Sequence, residues 1–249
     1  MNFTSTPNSL VLGIDTSSAW GSLGLIRGES LVASLTLRVA EGHGGGLAGR
    51  IDWLLREAAV DPKTLEAIGV VSGPGSFTAL RVGVATAQGL GLALGVPVVP
   101  IGTLEALVSG LPESAGRVLA LAPARKGEVF AQVFQSDPVV GWLPCGVVSC
   151  VKLEELGREE PPADLVTGPA VDLHREELAA ILGPGVRLGS VLARYPRGEV
   201  VARLALKRLT EGSESFPHEQ VEIRYLQSHG ALTIKERSKG NRHAEKGES

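Results

Sequence analysis

The sequence predicts a duplicated α/β chain of two similar lobes, each a strand-loop-strand start followed by mixed strands and helices, and three observations predict it. Short apolar runs bounded by turn residues alternate with segments of helical period. The layout strand, polar turn, strand over residues 10–26 returns at residues 117–134 (RVLALAPARKGEVFAQVF), a weak internal repeat. With 249 residues, 43% hydrophobic and 20% charged, the chain can bury a sizeable core without disulfides or metal.

Taken in order, residues 10–14 are an apolar run ending in Asp15-Thr16-Ser17-Ser18, which reads as a strand and a tight loop. Residues 22–26 and 31–37 follow across a polar turn and complete a three-stranded meander. Leu47, Ile51, Leu54, Leu55 and Ala58 recur at helical spacing and predict a helix with one apolar face. Residues 67–71 form a buried strand that ends at Ser72-Gly73-Pro74-Gly75-Ser76, after which a long helix runs over 77–94 with Ser76 as its N-cap. A strand at 96–101 leads to a short helix capped by Thr103. Residues 82–104 carry no charge and are long enough to span a bilayer, but Thr86, Gln88, five glycines, Pro97 and Pro100 make them a buried helix running into a buried strand. The second half predicts helices at 153–160, 173–182 and 200–209 and a strand at 164–167. The polar stretch 235–249 reads as a disordered tail.

Composition narrows the function. A net charge of −3 leaves no excess of cations to hold a polyanion, and aromatics at 4% argue against a base-stacking platform. Cys145 and Cys150 read as reduced cytosolic thiols, and the N-terminus lacks the basic and apolar regions of a signal peptide, so a cytoplasmic protein is expected. None of the histidines has metal-ligand spacing, and no G-x-S-x-G elbow occurs.

Three features remain as candidate chemistry, each with a plainer structural alternative. Gly73-Pro74-Gly75-Ser76, between a strand and a helix, offers backbone N–H groups to an anion, or is simply a sharp turn. Asp15, Thr16 and Ser17 supply a carboxylate for a hydrated cation and hydroxyls for a phosphate, or an Asx turn satisfying its own backbone. Ala79, Gly83, Ala87 and Gly91 form a small-residue stripe for close approach, either by another subunit or by the chain's own sheet.

IDTSSAWGSLGLI (14–26), His43, SGPGSFTALRVGVATAQGLGLALGVPVVPIGTLEAL (72–107) and ARKGEVFAQVF (124–134) together resemble the TsaB (YeaZ) family of bacterial tRNA threonylcarbamoyladenosine synthesis. The resemblance covers about residues 11–134, with a weaker trace near Tyr225-Leu226. It implies the actin-like, sugar-kinase/Hsp70 ATPase fold, two lobes of mixed sheet with flanking helices, at 9–104 and 105–228, which leaves the polar tail at 229–249. It also implies a catalytically inert subunit that docks on a TsaD-type transferase, works with a TsaE-type ATPase, reaches tRNA only through the complex and has no membrane. A homodimer and ATP or ADP at the partner interface are further expectations, with no cofactor bound by the chain itself. The site expectations are vestigial phosphate-facing residues Asp15, Thr16, Ser17, Gly73, Gly75 and Ser76, and a subunit interface of His43, Leu47, Ile51, Phe77, Ala79, Arg81, Gly83 and Ala87. No catalytic or metal residue is expected. Where the family commonly reads D-A-R-x-G-E-V this chain has Pro123-Ala124-Arg125, which removes an acid from the second phosphate-facing loop. The rival reading is a small-molecule kinase or ATPase of the same fold that uses Asp15 to orient a metal. A peptidase reading lacks a nucleophile–base pair.

Overall fold

The computed structural model describes residues 8–39, 45–156 and 163–211. Its centre is β1 (Leu10–Asp15), whose six residues LVLGID are all buried, as a strand covered on both faces requires. β2 (Trp20–Arg27) and β3 (Ser30–Arg38) pair antiparallel to one side of it, and β4 (Ala67–Gly73) and β5 (Val98–Gly102) run parallel on the other, giving the order β3-β2-β1-β4-β5. α1 (Leu47–Glu57) and α2 (Phe77–Leu94) cover one face, packing Leu47, Ile51, Leu54 and Val84 on Leu12, Ile14, Ile68 and Val70. α2 is the one helix among the described residues long and apolar enough to cross a membrane, and its Ala79, Gly83, Ala87 and Gly91 are buried against the chain itself. Ser76 stands at its N-cap position, but the hydroxyl makes no capping hydrogen bond.

α3 (Thr103–Val108) leads into a second sheet of β6 (Arg117–Pro123), β7 (Glu128–Asp137), β8 (Gly141–Lys152), β9 (Leu165–Thr167) and β10 (Arg187–Leu188), in the order β10-β9-β6-β7-β8. α3 covers one face through Leu104, Leu107 and Val108, while α4 (Ala170–Leu173) and α5 (Arg175–Leu182) cover the other through Val171 and Leu178. The helix expected over 173–182 is broken at His174, and that expected over 153–160 is a single 3-10 turn at Leu153–Glu155 where it is described.

α6 (Gly198–Thr210) departs from the expected division at 105–228, because it crosses back and packs Val201, Ala202 and Ala205 on Val11, Val71 and Val99 of the first sheet. A row of glycines makes this approach possible. Gly24, Gly13 and Gly69 are register partners across β2, β1 and β4. A Cβ on Gly69 would lie 2.8 Å from Val201 O, and one on Gly13 or Gly24 would overlap the backbone of Gly198 and Glu199. The helix therefore rests on strand backbone. Gly198 N–H donates to Ser22 Oγ at 2.9 Å, fixing its first turn.

Candidate functional site

The loop after β1 and the turn after β4 meet at the mouth of a cavity of about 950 Å³ between the two sheets. Asp15 is 1% exposed; its Oδ1 accepts from Ser17 N–H at 2.9 Å, while Oδ2 has no partner. Burial pushes its carboxyl up from 3.8 to about 7, against the Ser17 N–H and the nearby Ser17 hydroxyl, which favour the charged form. That hydroxyl approaches Asp15 without reaching hydrogen-bond geometry and is itself buried without a partner. Thr16 Oγ1 donates to Ala79 O at 2.8 Å, and Ser76 N–H donates to Ser17 O at 2.9 Å. A Cβ on Gly75 would sit 2.6 Å from Ser17 O, and Gly73 has φ 122°, so this contact and this backbone both call for glycine.

The structure thus brings the six phosphate-facing candidates together, but as two loops bonded to each other. Ser17, Gly75 and Ser76 line the cavity; Asp15, Thr16 and Gly73 do not. The metal-bound nucleotide that the actin-like fold implies does not fit the β1 loop. Its carboxylate is out of reach and holds a proton close to neutrality, its threonine hydroxyl is committed to α2, and the second loop has Pro123 where an acid would stand. No cluster of metal-ligating side chains occurs among the described residues.

The interface candidates divide. Leu47 and Ile51 are 5% and 4% exposed and, with Ala79, Gly83 and Ala87, belong to the chain's own core, so the expectation that these five meet a partner is corrected. A Cβ on Gly83 would collide with Thr16 Oγ1. Phe77 and Arg81 are exposed, with the Arg81 guanidinium 3.7 Å from the Phe77 ring centre. His43, Tyr225 and the tail lie outside the described residues. Outward on α1 and α2 stand Gly49, Trp53, Ala85, Gly89 and Leu92, with Trp53 51% and Leu92 65% exposed. Sequence reasoning missed this set because it followed the glycines of the buried stripe. Gly49 and Gly89 sit off that stripe, and a Cβ on either would meet nothing within 4 Å among the described residues.

The cavity wall carries Trp20 and Tyr195, ring centres 5.3 Å apart and tilted by 36°. Tyr195 O–H donates to Asp172, which also accepts from the buried Arg194; burial, then Asp172, pushes the phenol up to about 12. Cys150 faces Glu128 at 3.8 Å, and burial together with that carboxylate raises its thiol, so a thiolate is disfavoured.

The model of the TsaD family, tRNA N6-adenosine threonylcarbamoyltransferase, matches residues 38–138. TsaB of Bacillus subtilis is 26% identical over 200 residues, covering 80% of this chain and 87% of that protein. TsaB of Escherichia coli is 32% identical over 129 residues, about half of each chain. The solved YeaZ structure from Pseudomonas aeruginosa matches from end to end, with TM-score 0.75 and 27% identity over 88% of this chain and 100% of that one. The chain is similar to TsaB/YeaZ proteins along most of its length. A TsaB/YeaZ member and the TsaD transferase model thus coincide on the segment that carries α1, α2 and the β1-facing turn. A second solved P. aeruginosa structure, described as similar to a peptidase YeaZ, matches with TM-score 0.76 and 27% identity.

Proposed function

We infer that the chain is a non-catalytic cytoplasmic subunit required for threonylcarbamoyladenosine modification at position 37 of tRNAs reading ANN codons, acting by binding a TsaD-type transferase subunit. The observation that carries the accessory role is Asp15. The one carboxylate at the first phosphate-facing loop is sealed from the cavity, which also speaks against the kinase or ATPase reading. The peptidase description of a relative finds no support in a cavity whose described lining holds no histidine or lysine to serve Ser17 as a base.

The docking surface is the outward face of α1 and α2. A helical glycine costs about 0.5–1 kcal/mol relative to alanine, and Gly49 and Gly89 have no neighbour among the described residues to explain that cost. A partner helix approaching between Trp53 and Leu92 explains it. The same face serves a homodimer when the partner is absent, the TsaE-type ATPase joins the assembled pair, and ATP or ADP enters at the partner interface.

The test is Gly89→Leu. Filling open space on an exposed helix raises helix propensity by about 0.8 kcal/mol, so melting temperature should hold or rise while co-purification with the transferase subunit falls at least about tenfold. Full assembly by a normally folded Gly89→Leu would remove the face from the interface. Turnover of ATP by the purified chain that Asp15→Ala abolishes would overturn the accessory role.

A further inference from the structure

The scarcity of aromatic residues argues against a nucleic-acid platform only as an average. The chain has five Phe, three Trp and two Tyr, yet Trp20, Phe77, Phe130 and Tyr195 all line the same interlobe cavity. Exposed cations line it or adjoin its wall residues. Arg38, at the end of β3, and Arg125 are wall residues, and Lys126 follows Arg125. Lys152 stands opposite the wall residue Glu128 across β7 and β8, and Arg81 covers the Phe77 ring. None of the five makes an ion pair among the described residues. Of the two acids in the cavity wall, Asp172 is neutralised by Arg194, which leaves Glu128, turned to Cys150.

The geometry points to a surface for single-stranded RNA, with phosphates on the cationic rim and one base against the Trp20–Tyr195 pair. A strand, unlike a duplex, can turn a base into a cavity, and every base has a π-face for the aromatic wall. The choice of RNA among polyanions rests on the tRNA-modification reading above. The contact is weak: five cations on a chain of net charge −3 steer and orient a strand whose main hold is elsewhere in the complex.

The test uses the chain with a fluorescein-labelled seven-nucleotide RNA, followed by anisotropy from 20 to 200 mM KCl. Five phosphate contacts predict a log–log salt slope of about −3.5, so affinity falls about a hundredfold between 50 and 200 mM. Arg125→Gln combined with Lys126→Gln, both at exposed positions, should flatten the slope to about −2 without moving the melting temperature. Binding should quench tryptophan fluorescence, and Trp20→Phe should abolish the quench. An unchanged slope in the double variant, a quench that persists in Trp20→Phe, or equal affinity for a seven-base-pair duplex would each overturn the assignment. Co-purification with the transferase subunit is scored in parallel. Loss of assembly with the salt slope intact counts against the tRNA-modification reading alone, whereas normal assembly with no rim effect counts against this surface alone.

Discussion

Replacing Asp15 with asparagine should change how stability depends on pH. The folded carboxyl titrates near 7 and its unfolded counterpart near 3.8. Because the folded value is the higher one, the protonated group supports folding at low pH, and that support is lost as pH rises towards and through 7. The gap spans about three pH units at about 1.4 kcal/mol each, roughly 4 kcal/mol in all, of which about 2.5 kcal/mol is lost between pH 5 and pH 8. The asparagine side chain keeps the acceptor for Ser17 N–H but places an N–H donor where Oδ2 has no partner, a pH-independent cost of about 1–3 kcal/mol. The variant should therefore be the weaker protein at pH 5 and draw level with or pass the wild type at pH 8. Guanidinium melts of both proteins at the two pH values measure the difference directly. A stability difference that is the same at pH 5 and pH 8 would refute the claim that Asp15 folds as a buried acid.

Gly83→Leu should lower stability by at least about 1–3 kcal/mol, read as a fall in melting temperature, because the new side chain meets Thr16; a normal melt would return the small-residue stripe to the interface. Gly13→Ala should destabilise by a similar amount or more by lifting α6 from the sheet, and hydrogen exchange should show α6 losing protection first. Asp172→Asn should cost about 3 kcal/mol in urea melts, since it leaves the 6% exposed Arg194 as a buried charge without its carboxylate; a cost under about 1 kcal/mol would show that the Gly189 carbonyl is partner enough.

Much of the first sheet was legible in the sequence, because its elements have one period each. α2 begins and ends where the apolar stretch between Ser76 and Gly95 places it, and Gly95 adopts the left-handed conformation that ends helices. β8 was not legible. Pro144, Cys145 and Gly146 interrupt its alternation, the ladder with β7 shifts register there, and residues 143–147 are exposed on an edge. α6 was legible as a helix but not as part of the first lobe, since periodicity shows that a face is apolar and not which sheet it meets. The signal lay in the strands: Gly13, Gly24 and Gly69 weaken three neighbouring strands at matching positions, which only a close backbone approach explains. In the candidate site, the Asp15 loop is legible as a polar turn after a strand, but the orientation of its side chains depends on Ala79 and Ser76, more than 50 positions away. The outward glycines of α1 and α2 were hidden by the same ambiguity, since a sequence does not say on which side of a helix a glycine is needed.

The glycine row also sets an order of events during synthesis. The strands of the first sheet have all been made once Gly102 is in the chain, but the helix that covers their second face begins at Gly198, about a hundred residues later. At about 5–20 residues per second, a ribosome needs roughly 5–20 s to supply it. During that interval the sheet presents an uncovered backbone trough, with Val11, Val71 and Val99 open along its sides. The second lobe must therefore be translated, and can fold, as an insert within an unfinished first lobe. A nascent chain arrested before residue 198 should be held by chaperones, and release should coincide with the emergence of α6.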